Sequence, residues 1–483
     1  MNWKKDEYNS LKFEYFSFLE CARANFKINK GDIRAFIGLR EWFHEKERLD
    51  AGDNSYSAHL FALGEALRDL KKALERRNFY EVFKRDLAKW STEGVLLDRN
   101  ETRDPLIPPP IPNMRSWKGN DHTVMSLFSG AMGLDLGFLA AGFKLVLAND
   151  IDTNSFKTVN MNMPSVPFIL EDIKKVSSED LLSKSGIDIG EVDVLVGGPP
   201  CQPFSTAGRR RGLNDPRASP LKEFVRVIKE IKPRAFVMEE VSGLKSSRLK
   251  HVSAIERKSR ALRPEEEKGS AFNAILEMLR STGYRLIYDI LNAADFGSPQ
   301  SRNRLIFIGL REGIPKLPEI THSIRQQTTL DGNKPEPWNT LWEATSDLQY
   351  KENNFIGTSN SRFKYMLLIP PGGHWRHLPE DLIKDAMGGA YDAEGGKMGF
   401  YRRLSWDDPS PTVVESPVHK GTMFFHPEAH RPLSVEEYKR VQGFPDDWEI
   451  FGKNHTKYKL IGSAVPVHLS YAIANKVSEL LGV

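Results

Sequence analysis

The chain predicts an α/β fold on a sheet with parallel strands, and three observations carry that reading. Apolar, β-branched runs of strand length recur along it; several adjoin a residue able to do chemistry; and an early strand, turn, helix and strand lead to an acid. In order, Thr123 to Phe128 reads as a strand, Ser129 to Gly133 as a small-residue turn, Leu134 to Ala141 as the start of a helix, and Lys144 to Ala148 as a second strand running into Asn149 and Asp150. A carboxylate about 20 residues beyond such a turn is placed to receive ribose hydroxyls, which implies a cofactor containing adenosine. A dinucleotide is the generic alternative, although the turn lacks the full Gly-x-Gly-x-x-Gly spacing.

The next run, Val192 to Val196, is closed by Gly197-Gly-Pro-Pro-Cys-Gln-Pro-Phe-Ser205. A short buried strand ending in this turn puts Cys201 at the carboxyl edge of the sheet, where open α/β folds bind ligands. A free cysteine is commonly a small core residue. Prolines on both sides instead fix an irregular loop and favour a nucleophile. The run Ala235 to Met238 ends in Glu239-Glu240-Val241, and Arg304 to Leu310 is preceded by Gln300-Ser-Arg-Asn-Arg304, whose two guanidinium groups are spaced for one face of an extended segment. A thiol, an acid and an arginine could converge on one bound group.

These segments together resemble the DNA (cytosine-5)-methyltransferase family of the bacterial restriction-modification type. The resemblance runs from about Thr123 to the C-terminus. It includes Phe128-Ser-Gly-Ala-Met-Gly-Leu-Asp-Leu-Gly-Phe138, the Pro-Pro-Cys-Gln-Pro-Phe-Ser segment, Phe236-Val-Met-Glu-Glu-Val241, Pro299-Gln-Ser-Arg-Asn-Arg304, Arg403-Leu-Ser-Trp-Asp-Asp-Pro-Ser-Pro-Thr412, Gln442-Gly-Phe-Pro445 and Gly462-Ser-Ala-Val-Pro-Val467. It implies a Rossmann-like S-adenosylmethionine-dependent methyltransferase sheet, with an inserted small target recognition domain and an N-terminal helical accessory domain.

The resemblance also implies roles. Cys201 would attack C6 of a flipped cytosine, Glu239 would hydrogen-bond or protonate N3, and Arg304 would contact the base carbonyl and orient the acid, with Arg302 in support. Phe128, Gly130 and Gly133, Asp150, Asp172, Pro200, Ser463 and Val465 would surround S-adenosylmethionine. Gln202, Ser205, and Arg209, Arg210 and Arg211 in the loop Thr206 to Ser219 would meet DNA. Arg362, Lys364 and Arg376 would do so from the recognition domain. Three positions depart from the family pattern: Ser463 stands at a usual asparagine, Met132 at a usual glycine, and Glu240 at the asparagine after the acid. The last adds a second carboxylate, expected to disturb Glu239 or repel phosphate.

Composition agrees with this reading. The 483 residues exceed one typical domain, 40% are apolar, and the net charge of +4 is only weakly basic. Cys21 and Cys201 are the only cysteines, so neither a disulfide framework nor a four-cysteine zinc site is available and a reducing cytoplasm fits. No secretory signal or membrane span is read. Leu60, Leu63, Leu67, Leu70 and Leu74 form a helical stripe, with others at Ile33, Phe36, Ile37 and Trp42 and at Leu11, Tyr15, Leu19 and Ala22. The expected organisation is a helical accessory domain over residues 1–103, a Pro-rich linker over 104–121, a catalytic domain over 122–310, a target recognition domain over 311–400, and a segment over 401–483 that returns to the catalytic domain. The expected partner is double-stranded DNA, met by a monomer, with a cognate restriction endonuclease in the same system but no stable association. A DNA-binding chain without turnover and an RNA cytosine methyltransferase are the competing classes.

Overall fold

The computed structural model describes residues 121–483 apart from 201–218, 251, 325–333, 349–353, 358–361, 363–364, 367, 393–397 and 430. The expected N-terminal helices and most of the linker, Cys201 with the loop that follows it, and Lys364 lie outside the described residues. The chain divides into two compact units.

Within the described residues the larger unit contains residues 121–356, Ser405–Pro417 and Leu433–Val483. Its sheet has seven strands: β1 (Thr123–Leu127), β2 (Lys144–Asp150), β3 (Phe168–Leu170), β4 (Val194–Gly197), β5 (Ala235–Val241), β6 (Arg285–Asn292) and β8 (Asn303–Leu310), ordered β3-β2-β1-β4-β5-β8-β6. A separate parallel pair joins β7 (Gln300–Ser301) to β9 (Ser410–Pro411). The strand expected at each apolar run is present, and β1 to β5 are parallel. Beyond that expectation, β8 runs antiparallel between β5 and β6. This reversal brings the start of β8 to the carboxyl edge, where β1 to β5 end. The strand order turns back between β1 and β4, the topological switch point at which such sheets hold ligands.

Strands buried on both faces explain why β4 and β5 read as unbroken apolar runs: Val194, Leu195 and Val196 and Ala235 to Met238 are fully buried. Helix α1 (Gly133–Ala140) follows β1, α2 (Thr153–Asn162) follows β2, and α3 (Ser219–Ile231) precedes β5. In α3, Leu221, Phe224, Val225, Ile228 and Ile231 recur at helical spacing and enter the core with Phe236, Phe307 and Ile275 of α4 (Ser270–Arg280). Each such side chain stabilises the fold by about 1.5–3 kcal/mol when fully buried.

The C-terminal part supplies α5 (Val435–Gln442), α6 (Asn454–Ser463) and α7 (Val467–Leu481). Leu469, Ile473 and Val477 are buried at helical spacing in α7, which packs on α1. The approach is close enough that a Cβ at Gly137 would lie 2.3 Å from the Ser470 hydroxyl. That hydroxyl donates to the Leu134 carbonyl.

Within the described residues the smaller unit comprises Gly357–Leu404 and Val418–Pro432. Tyr365, Met366, Ile369, Trp375, Leu378, Met387, Tyr401 and Phe425 form its core. Its centre is charged: Arg403 is 3% exposed and donates to the carbonyls of Ile369 at 2.7 Å, Met366 at 2.7 Å and His426 at 3.0 Å. Burial pulls the Arg403 guanidinium down to about 10, and the carbonyls compensate its lost hydration.

Candidate active site

The carboxyl edge of the larger unit is built from backbone geometry that the sequence only hinted at. After β1, Phe128, Gly130 and Met132 take positive φ values of 57°, 54° and 75°. Two of the three are not glycine, and each such residue in the left-handed region costs on the order of 1 kcal/mol or more. The loop is held by the Ser129 N–H donating to the Asn149 carbonyl at 3.0 Å and by the Gly130 N–H donating to Asp150 Oδ2 at 2.8 Å. Asp150 Oδ1 accepts the Asp152 N–H at 2.8 Å. Burial lifts the Asp150 carboxyl above its ordinary value, and the N–H bonds from Asp152 and Gly130 offset part of that.

Asn149 donates to the carbonyls of Ile169 and Glu171 at 2.9 and 3.0 Å and so fixes the end of β3 beside β2. Asp172 follows, capping a single turn at Ile173–Lys175 by accepting the Lys174 N–H at 3.1 Å. Two large apolar side chains stand uncovered here: Ile151 is 67% exposed, and Leu170, the sheet partner of Asp150, is 41% exposed. Sequence reading passed over both. The available signal was an isoleucine directly after the ribose-type acid.

Asp135, in the first turn of α1, was also missed. It is fully buried beside Ser126, and burial raises its carboxyl from 3.8 to about 7. Because the folded-state value lies above the unfolded one, the folded state binds more protons between about pH 4 and 7, and stability falls as pH rises through that window. Replacing Asp135 by Asn removes this dependence. In urea unfolding, stability relative to wild type should shift in the variant's favour by a few kcal/mol at most from pH 4 to 7 and stay level above it. A difference independent of pH would contradict the assignment.

Across the switch point, β5 and β8 bring the acid and the arginine together. Glu239 pairs with Ile306 and Val241 with Arg304 in the antiparallel register, so Glu239 and Arg304 are diagonal neighbours on one face. Arg304 Nε lies 2.5 Å from Glu239 Oε1, and both side chains are largely buried, at 12% and 14% exposure. Glu239 Oε2 lies 3.0 Å from where a Cβ of Gly198 would stand. The acid therefore abuts the turn that leads through exposed Pro200 to Cys201.

Arg302 has other partners. It is 2% exposed, and its guanidinium donates to the carbonyls of Val413 at 2.7 Å and Gly462 at 2.9 Å. The two arginines expected to share one face thus do different things: one meets the acid, the other grips backbone. Glu240 points to the opposite face of β5 from Glu239 and is 2% exposed. Burial first, and then the Glu239 charge, hold its carboxyl well above the usual range.

The segment after α6 closes over the loop. A Cβ on Gly133 would fall 2.3 Å from the Val465 carbonyl oxygen, so only glycine allows that approach. Val465 is buried, whereas Ser463 is exposed with its hydroxyl donating to the Leu460 carbonyl at 3.1 Å. In the smaller unit, Arg376 is exposed and lies 5.1 Å from the Trp375 ring centroid, and half-buried Arg362 donates to the Val418 carbonyl at 3.1 Å. Gln202, Ser205, Arg209, Arg210, Arg211 and Lys364 lie outside the described residues, as does Cys201. Among the described residues no group of three or more His, Cys, Asp or Glu could hold a metal ion, and no described helix is long and apolar enough to cross a membrane.

Comparison with known proteins agrees with this arrangement. A family model described as C-5 cytosine-specific DNA methylase matches residues 122–479. Type II methyltransferase M.Eco47II of Escherichia coli is 34% identical over 426 residues, covering 83% of this chain and 93% of its own. Type II methyltransferase M.Sau96I of Staphylococcus aureus is 30% identical over 470 residues, covering 94% of this chain and 99% of its own, so that match reaches well into the first 120 residues. The fold resembles a crystal structure described as a prophage-encoded DNA modification methyltransferase of E. coli, with a TM-score of 0.50 and 22% identity over 75% of this chain and 100% of that one. With the family match spanning most of the chain and the fold in accord, the chain belongs to the C-5 cytosine-specific DNA methylases.

Proposed function

We propose that the protein is a sequence-specific DNA methyltransferase that transfers a methyl group from S-adenosylmethionine to C5 of a cytosine flipped from duplex DNA, through a transient bond between Cys201 and C6. The observation that carries this reading is the Glu239–Arg304 pair set against Gly198, at the sheet edge from which the chain continues to Cys201. Flipping costs a few kcal/mol of unstacking, and the phosphate and recognition contacts offset it.

The residues at the other side of the switch point fit the cofactor. Asp150 uses its two oxygens to hold the loop and the following turn, yet each keeps acceptor capacity for a ribose hydroxyl. Exposed Ile151 and Leu170 offer an apolar wall for a purine, and Asp172 lies just beyond to accept an adenine amine. Phe128, Gly130 and Gly133 shape the place for the methionine part at the N-terminus of α1, whose N–H groups favour a carboxylate. Pro200, Ser463 and Val465 would complete that wall. S-adenosylmethionine, when bound, supplies an electrophilic methyl group.

Cytosine C5 is a weak nucleophile. Addition of the Cys201 thiolate to C6 forms a sulfur–carbon bond and moves electron density to C5, while Glu239 delivers a hydrogen bond or proton to N3. Arg304 holds Glu239 and reaches the base carbonyl. After methylation, loss of the C5 proton to a base, a role open to water, restores the aromatic ring and expels the Cys201 sulfur. Arg302 acts in support of this pair through the backbone it holds.

We assign the smaller unit to target recognition, with Arg362, Lys364 and Arg376 as candidates for DNA contact. Gln202, Ser205 and Arg209 to Arg211 are assigned to the loop that would close on the flipped base. Arginine can read guanine bidentately, while lysine more often positions phosphate. The type II methyltransferase relatives support a role as the modification partner of a restriction endonuclease. We assign the chain to the cytoplasm, acting on duplex DNA as a monomer without stable association with that endonuclease. The test is expression in cells lacking cytosine methylation, followed by bisulfite sequencing. A recurrent short motif carrying 5-methylcytosine is the expected result; folded protein that leaves DNA unmodified would sink the proposal.

A further inference from the structure

Buried side chains join the Gln300–Arg304 segment to Val413, to Gln442 of α5 and to the end of α6 with Ala464 after it. Gln300 Nε2 donates to Gln442 Oε1 at 2.6 Å, and Gln300 Oε1 accepts the Val413 N–H at 2.9 Å. Gln442 Nε2 in turn donates to the carbonyls of Ile461 at 2.6 Å and Ala464 at 2.9 Å. Arg302 bridges the Val413 and Gly462 carbonyls, and a Cβ at Gly462 would fall 2.3 Å from the Val414 oxygen. All three polar side chains are at most 2% exposed. Burying a guanidinium is costly, and no carboxylate lies within ion-pair distance of Arg302 among the described residues. The Glu239 charge offsets part of that cost, and the guanidinium's own hydrogen bonds go to two backbone carbonyls, which it holds in place.

At one end those bonds hold Gly462 to Val465, the segment against which Gly133 of the glycine-rich loop is packed. At the other end Arg302 and Gln300 precede Arg304 by two and four residues, and Arg304 holds Glu239. We propose that Arg302, with Gln300 and Gln442, is a positioning tether that couples closure of the cofactor loop to the placement of the Arg304–Glu239 pair. Filling one pocket then orders the other. This inference rests on the cofactor reading given above.

The experiment is hydrogen–deuterium exchange of the full chain with and without S-adenosylhomocysteine. In wild type the ligand should slow exchange at residues 128–133 and, by about tenfold, at residues 300–304 and 239–241. In Arg302→Lys, where one ammonium cannot span both carbonyls, and in Arg302→Met, which also removes the buried charge, protection at 128–133 should persist while that at 300–304 is lost. A merely structural arginine would lower the melting temperature without separating the two regions. Protection at 300–304 retained in a folded variant, or absent from wild type while 128–133 is protected, overturns the tether. No protection at 128–133 in wild type overturns the cofactor reading instead, and the tether with it.

Discussion

Replacing Cys201 by alanine should lower the rate of methyl transfer by roughly 10⁴-fold or more, because without the sulfur there is no addition at C6 and C5 stays a poor nucleophile. The substitution removes one sulfur atom and adds no bulk, so folding and the binding of S-adenosylhomocysteine and DNA should survive. That split distinguishes chemistry from architecture. The measurement is tritiated methyl incorporation into unmethylated DNA, alongside calorimetric titration with S-adenosylhomocysteine. Residual incorporation close to wild type would exclude the thiolate route. Loss of incorporation together with loss of both binding reactions would instead mark Cys201 as structural.

Substituting Glu239 by glutamine is the next largest effect, at about 10²–10⁴-fold in kcat. The amide preserves the shape against Gly198 and can still donate a hydrogen bond to N3, but it cannot hand over a proton. Arg304 then loses its ionic partner at a largely buried position, which costs stability on the order of 3 kcal/mol. The KM for DNA should change far less than kcat, since the interaction lost is made mainly as the ring accepts the sulfur. A variant with raised KM and unchanged kcat would place Glu239 in binding alone.

The framework was legible because strands buried on both faces must be written as continuous apolar runs, and Val192 to Val196 and Ala235 to Met238 could hardly be anything else. The acid at the end of β2 was legible for a similar reason, as Asp150 closes a βαβ unit at a fixed distance from its turn. What the residues alone did not disclose was the reversal of β8. Convergence of Glu239 with Arg304 requires the start of β8 to meet the end of β5, and hydrophobic patterning is blind to strand direction. The same limit hid the different partners of Arg302 and Arg304. Alternation put them on one face, but the face of Arg302 is filled by the carbonyls of Val413 and Gly462, more than a hundred positions along the chain. Glu240 reads as an extra charge in sequence and becomes a buried acid only once β5 has neighbours on both sides. Ile151 and Leu170 were unreadable for the opposite reason: an apolar residue is expected inside, and only the structure leaves these two uncovered.

The central claim is that a covalent bond from Cys201 to cytosine C6 lies on the reaction path, and trapping that bond tests it most directly. A duplex carrying the methylated motif is prepared with 5-fluorocytosine at the target, so that after methyl transfer no C5 proton is available for removal and the sulfur cannot leave. Incubation with S-adenosylmethionine should yield a protein–DNA complex that survives denaturation. Mass spectrometry should locate the nucleotide on the peptide containing Cys201, and the alanine variant should form none. Turnover of the unmodified duplex with no trapped complex on the fluorinated one, or attachment at any other residue, would contradict the account.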